Sequence, residues 1–455
     1  MGIYHRMWGA ATHDRATGVH RPLRATVAAF APLQGDDLQI VLALDHCVMG
    51  AQELRGLLEK AAQDGGVDSK NVLVVFSHTH GAGLMGMDRV SEPGGELIPP
   101  YLEKMAQVAG ELIRQTVRSM SPATIVYGSG SCGLATHRDY WDADRSQFVC
   151  GFNPGVKADD TVVVARIKAD NGSIAATVIN YACHPTTLAW ENTKISPDYV
   201  GAMREVVERE TGAPCLFLQG ASGELGPKEG FVGETAVADR NGRELAFAAL
   251  SALTTLSPPS TKYVYQGPVI SGATLGTWRH ADLDAHERSA NEAWAVRRWN
   301  EPLKYRPGRP TVETVRAETT KLETDEEAAR KSGDTKRAAE LRALVERKNR
   351  LLHRIEQLPN GETFPLQVVA MRIGSAIWLG VQGESYSLLQ TELRRRFPNQ
   401  IIVVASIAAD WGASYLPTRD IYDKGIYQES IAIVAAGSLE QLIESATSQI
   451  RELLA

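Results

Sequence analysis

Apolar runs that stop abruptly in polar or glycine-rich loops set the pattern of this chain. Asn71 to Phe76 (NVLVVF) is apolar and β-branched, the mark of a buried strand. It breaks off at Ser77-His78-Thr79-His80 and a glycine-rich turn. Residues 24–32 and 38–44 read as a hairpin of strands about Gln34-Gly35-Asp36-Asp37, the second running into Asp45-His46-Cys47. Ile174 to Tyr181 is a further strand that stops just before His184, and the run at 215–219 leads into the turn Gly220 to Gly226. Later runs end at Glu384 and before a loop holding Tyr415. Helical periods alternate with these strands: Gly50 to Asp64, residues 99–119, a helix opened by Ser196-Pro197-Asp198, and Ile431 to Leu454. Such alternation predicts an α/β fold of mixed β-sheets flanked by helices.

Residues 280–360 break the pattern. They are rich in Glu, Arg, Lys and Ala, Thr324 to Glu327 fits a capping box, and Leu341, Leu344, Val345, Leu351, Leu352 and Ile355 keep helical spacing. The stretch reads as a charged helical insertion, a long hairpin, within a catalytic domain formed by residues 1–279 and 361–455. Its charges read as a solvated face before a lid or partner surface. Replacing about residues 285–355 by a short linker is therefore expected to spare the main core.

Composition narrows the class. The chain has 455 residues, 22% of them charged, and a formal net charge of −6, which gives no reason to expect nucleic acid or an anionic membrane as partner. No apolar run approaches the ~20 residues of a membrane span. The N-terminal stretch has no apolar signal core, so a cytoplasmic protein is expected. The cysteines are 5 in number, scattered and without a CxxC pair, which argues for reduced thiols. Oligomeric state stays open, a homo-oligomer included.

The chemistry gathers at the strand ends, where ligands of open α/β sheets usually sit. His78 and His80, two residues apart, are expected to project to one face. They can hold a metal together, or one can hold it while the other moves protons. The plainer alternative is two polar residues satisfied by backbone. Asp45 suits either a support behind a metal-bound histidine or the N-cap of the next helix. Arg138 and Arg145 lie among aromatics, where a guanidinium can pair with a substrate oxygen or carboxylate, or with Asp139 or Asp142 at the surface.

SHTHGAG, NYACHPTTL with ISPDYVGAM, LQGASGELGP, GVQGES and SYLPTRDIYDKGIYQES, in this order, resemble the successive motifs of the neutral/alkaline ceramidase family. The resemblance runs from about residue 17 to the C-terminus, leaving out the helical insertion. It implies a ceramidase-like catalytic domain with one catalytic Zn²⁺ held by His78, His184, Glu384 and Tyr415. It further implies that His80 contacts the reacting group, that Arg138 is the arginine following the family's middle loop, and that Tyr427 touches substrate. Two neutral imidazoles with Glu and Tyr oxygens suit zinc with an open position.

The chain departs from the family pattern in several places. Gly226 stands where the family's GDVSP motif has a serine, with Ser222 four residues earlier in the same turn. The C-terminal immunoglobulin-like domain of secreted ceramidases and the first strand before GVHRPL are not found. The expected function is a zinc-dependent hydrolase of a small-molecule linear amide, acting by attack of zinc-bound hydroxide on the carbonyl, on a substrate other than long-chain ceramide. An esterase or lactonase on the same scaffold, and a non-catalytic binding protein, are the alternatives.

Overall fold

A computed structural model describes residues 2–455. Its centre is the meeting of three sheets. In the first, Gln39–Leu44 lies between Ala25–Phe30, antiparallel, and Val72–Phe76, parallel. The second has the order Cys215–Gln219, Ile174–Tyr181, Thr161–Ala169, Ala123–Ser131; its first pair is parallel and the others antiparallel. The third has the order Trp294–Lys304, Thr363–Ile373, Ala376–Val381, Ile401–Ser406, and only its last pair is parallel. Val41, Val75, Val163, Val178, Leu218, Met371, Trp378 and Val403 from all three sheets share one buried cluster.

Helices seal the outer faces. Ala51–Gly65 and Ile98–Arg118 bury Leu54, Leu57, Ala61, Met105 and Ile113 against the first sheet. Tyr199–Thr211 and Thr235–Thr254 cover the second with Tyr199, Met203, Leu245 and Ala249. Ser438–Leu454 covers the third with Leu439, Leu442, Ile443 and Ile450. Covered on both faces, the Gln39–Leu44 strand is buried throughout, which is why it reads as an unbroken apolar run. Each sheet contributes a parallel pair, and the C-terminal ends of these pairs open into the loops that hold His78, His184, Ser222, Glu384 and Tyr415.

The stretch 280–360 is not helical throughout. Thr261–Ser271 and Ala273–Asp282 form a largely exposed hairpin, followed by a short helix, Ala285–Asn291, whose capping box is Asp284 with Glu287. Trp294–Lys304 is a strand of the third sheet, paired with Thr363–Ile373 from Trp294↔Ile373 to Lys304↔Thr363. It lies at the sheet edge, where one side is solvated, so Arg297, Arg298 and Lys304 give it the composition of a charged helix. The helical hairpin itself is Val312–Lys331 and Thr335–Glu356. Thr324 falls inside the first of these helices, bonding its hydroxyl to the Thr320 carbonyl at 2.9 Å, and the N-cap is Thr311. Among the described residues, no helix is long and apolar enough to cross a membrane.

Candidate metal centre

The loop after Val72–Phe76 brings the first two histidines inward, though not by strand alternation. The strand stops at Phe76. His78 then adopts a left-handed backbone, φ 67°, a costly conformation for a residue with a side chain. Its backbone N–H donates to the His46 carbonyl at 2.9 Å, and its Nδ1 to the Cys47 carbonyl at 2.8 Å. His80 opens a short 3₁₀ turn capped by Thr79. The turn sets the two rings at right angles, centroids 5.0 Å apart.

His184 follows the Ile174–Tyr181 strand, and its Nδ1 donates to the Ser222 carbonyl at 2.6 Å. Glu384 and Tyr415 face each other as partners in a two-residue parallel ladder. Gly383, at φ 86°, makes that approach possible, because a Cβ there would stand 2.7 Å from the Ser414 carbonyl oxygen. One Glu384 oxygen, Oε2, lies 3.1 Å from His184 Nε2 and 3.4 Å from His78 Nε2. The Tyr415 hydroxyl lies 3.4 Å from His184 Nε2 and accepts from Arg138 Nη2 at 3.0 Å. The sequence-derived set His78, His184, Glu384 and Tyr415 is thus brought to one point, with His80 and Arg138 beside it.

The hydrogen bonds define what this point can bind. With both Nδ1 atoms donating to carbonyls, the Nε2 lone pairs of His78 and His184 face a carboxylate and a phenol oxygen already occupied by an arginine. Three acceptors, the two Nε2 atoms and the Glu384 carboxylate, converge with the Tyr415 O–H as the one neighbouring donor, and His78 Nε2 has no hydrogen-bond partner. A buried cluster of this kind suits a cation. The donor set, two imidazole nitrogens, a carboxylate and a phenol oxygen, fits Zn²⁺. Cys47, His78 and His80 form a second compact trio, but His78 Nδ1, which lies 3.5 Å from Cys47 Sγ, is already committed to the Cys47 carbonyl.

Titration behaviour follows the same crowding. Burial first, then Arg138, lowers the His184 pKa to about 3. Burial, reinforced by His78 and His184, holds His80 well below the imidazole range. Burial opposes ionisation of His78 as well, but Cys47 and Glu384 outweigh it and push its pKa well up. Burial likewise opposes charge on Glu384, and the two imidazoles outweigh it and hold the carboxyl well down.

Around this centre the remaining residues take distinct places. Arg138 is buried, donating to the Gly223 carbonyl as well as to Tyr415. Arg145 pairs with Asp142 at 3.0 Å on the surface, away from the site. Asp45 supports no histidine and caps no helix; it forms a bidentate pair with Arg204, both contacts 2.8 Å. Tyr427 stands at the mouth, 45% exposed, its ring 5.9 Å from that of Tyr415. A side chain at Gly226 would meet only Arg138 and Thr186, at 3.7 and 3.8 Å, so the glycine leaves open space beside the arginine. Trp8, unremarked in the sequence, packs its ring 5.1 Å from His80 and meets Phe231 and Trp190 edge-on.

No family model and no curated protein matches the chain by sequence. Solved structures do match by fold. The crystal structure of neutral ceramidase from Pseudomonas aeruginosa superposes with a TM-score of 0.63 at 16% identity, covering 99% of this chain and 72% of that one. A structure described as ceramidase complexed with C2 gives a TM-score of 0.60, 16% identity and the same coverage, 99% and 72%. The chain has a ceramidase-like α/β fold, as the order of its motifs implies.

Proposed function

We propose that this ceramidase-like fold carries a zinc-dependent hydrolase that cleaves the C–N bond of a linear amide, on a substrate other than long-chain ceramide. The observation behind the reading is the convergence of His78 Nε2, His184 Nε2, Glu384 and the Tyr415 hydroxyl on one point. These four groups would hold the ion. When bound, Zn²⁺ supplies a Lewis acid that lowers the pKa of water and polarises a carbonyl.

The rest of the chemistry belongs to the chain. The Cys47 and Ser222 carbonyls hold His78 and His184 as the tautomers whose Nε2 atoms are free to ligate. His80 has no hydrogen-bond partner on either ring nitrogen, and burial keeps it neutral. A neutral imidazole so placed takes a proton as the nucleophile attacks and returns it to the leaving amine. Arg138 steadies Tyr415 and offers positive charge to oxygen developing at the carbonyl. Tyr427 contacts the substrate at the mouth, and Trp8 shields the His80 side from water.

The test is metal analysis of the purified protein with a panel of linear amides and matched esters. One zinc per chain with amide turnover that a chelator abolishes is the expected result. Turnover of esters alone would return the esterase reading, and a loaded protein inert to the whole panel would return the binding-protein reading.

A further inference from the structure

The helical hairpin lies across the site. Its second helix, Thr335–Glu356, is tied to the surrounding elements at several points. Arg350 reaches the Met7 carbonyl, next to Trp8, and Arg347 bonds the Ser430 hydroxyl at 2.8 Å, next to the Tyr427 turn. His353 packs its ring 5.4 Å from that of Trp411, and the Gln357 amide oxygen accepts from Ala51 N at 2.8 Å. This helix is therefore a roof between the N-terminal segment and the loops of Tyr415 and Tyr427.

One residue of the roof has no structural occupation. Arg354 is 6% exposed, yet its guanidinium makes no hydrogen bond and no ion pair among the described residues, and its Nε is fully enclosed without a partner. The other buried arginines are all engaged: Arg6 with Asp14, Arg89 with Glu346, Arg138 with Tyr415, Arg204 with Asp45. Arg354 lies one turn past Arg350 and two turns past Arg347, on the helix face that meets the Met7 and Tyr427 segments, and Glu384 is the one carboxylate among the groups that act on it. Glu384 is a ligand of the proposed ion, so the guanidinium has no anion of its own once that carboxylate is committed. An unpaired buried charge is costly, and a fold that keeps one beside a reaction centre keeps it for a ligand.

The His80 side of the centre is apolar. Trp8, Trp190 and Phe231 form a wall against His80, with Trp190 38% exposed and open to a ligand. A substrate held by both wall and roof meets aromatic rings and a guanidinium.

We propose that Arg354 binds a carboxylate of the substrate, and that the amide cleaved here is an N-acylated amino acid, acyl chain against Trp8 and carboxylate under the Thr335–Glu356 helix. A planar guanidinium pairs with a carboxylate through two parallel hydrogen bonds, which selects the charged amine portion and orients it. The assignment rests on the amide-hydrolase reading for its reaction, but not for its binding.

The experiment uses a matched pair, N-hexanoylglycine and N-hexanoylethanolamine, which share the acyl chain and the scissile bond. Wild type, Arg354→Met and Arg354→Lys are compared, all loaded with zinc. Wild type is expected to favour the glycine compound by at least about tenfold in kcat/KM. Arg354→Met loses the preference, chiefly through KM, and Arg354→Lys recovers part of it. Calorimetric binding of N-hexanoylglycine should follow the same order without reference to turnover. Arg354→Met should also melt at a higher temperature than wild type, because it removes an unpaired buried charge; a structural arginine would show the reverse. Equal binding by wild type and Arg354→Met, or no binding to either, overturns the proposal. Good turnover of the ethanolamine compound without a carboxylate preference overturns it and leaves the amidase reading intact. Arg354-dependent binding with neither compound cleaved upholds the carboxylate site and removes the amidase reading.

Discussion

The Ser222 carbonyl oxygen sits 2.6 Å from His184 Nδ1, while the Ser222 hydroxyl accepts from Gln219 Nε2 at 2.7 Å. The backbone carbonyl of this residue is the nearer partner of the histidine, and its hydroxyl stands farther off, 3.4 Å from the same Nδ1. Ser222→Ala keeps the carbonyl, so catalysis is expected to persist within roughly tenfold, a cost near 1.4 kcal/mol. His80→Ala should lose at least about a hundredfold, the scale of a missing acid/base group or oxyanion donor. Turnover of both variants, with zinc content checked, decides the point. A zinc-loaded but inactive Ser222→Ala, or an acyl group trapped on Ser222, would show that a serine nucleophile operates instead.

His78→Ala and His184→Ala each remove one of the free imidazole lone pairs, and each is expected to strip the metal while leaving most of the fold. Tyr415→Phe takes away one oxygen and leaves Arg138 without one of its acceptors. It should weaken metal retention or slow turnover with little loss of stability. Metal analysis after dialysis against a mild chelator is the readout. Full occupancy and activity in His78→Ala would exclude His78 as a ligand.

Glu224 offers a test of stability against pH away from the proposed ligands. Burial raises its pKa to about 7 from the 4.5 of an ordinary glutamate, although the Ser387 hydroxyl and N–H donate to it and pull the other way. The folded state therefore holds this proton more tightly than the unfolded state. Its contribution to stability is fully present below about pH 4.5 and is lost as pH rises through about 7, up to about 3 kcal/mol in all. Glu224→Gln keeps an oxygen for Ser387 and cannot ionise. Urea unfolding between pH 5 and 8 should show a shallower decline for the variant than for wild type. Equal slopes would mean that Glu224 is already ionised at pH 5.

The strands and the four residues that converge at the candidate centre are legible because each depends on a local signal. Buried strands such as Gln39–Leu44 are unbroken apolar runs, and His184, Glu384 and Tyr415 follow such runs at once or within a short loop. What stayed hidden depends on backbone geometry or on distant partners. The left-handed turn at His78 and the carbonyls of Cys47 and Ser222 have no side-chain signature. Arg354 is one arginine among many in a charged helix, and only its burial distinguishes it. Trp294–Lys304 was read as part of an insertion because an edge strand with a solvated side carries the charges of a surface helix.

That strand changes which excision the fold can survive. Replacing residues 285–355 by a linker would remove Trp294–Lys304, with Leu303 fully buried and an eleven-pair ladder to Thr363–Ile373. It would strip one edge from the third sheet and expose Leu366 and Val368, which share a core cluster with Leu303. Such a chain is expected to be insoluble. The register supplies a different cut. Lys304 and Thr363 face each other across the antiparallel pair, and Tyr305 N donates to the Glu362 carbonyl at 3.0 Å, so the chain leaves and re-enters the sheet at adjacent positions. An Asn-Gly turn in place of residues 305–362 closes the two strands as an ordinary hairpin. The excised helices bury Ala329, Ala338 and Leu341 against one another, a small cluster of their own. Their removal costs the Arg89–Glu346 pair and the Gln357 contact with Ala51, both near the site. The shortened chain is expected to be soluble, to keep its sheet signal by circular dichroism and to unfold cooperatively, but to lose turnover with the roof. Aggregation of this variant, or a well-folded product from the 285–355 replacement, would show that the helices and not the strand complete the core.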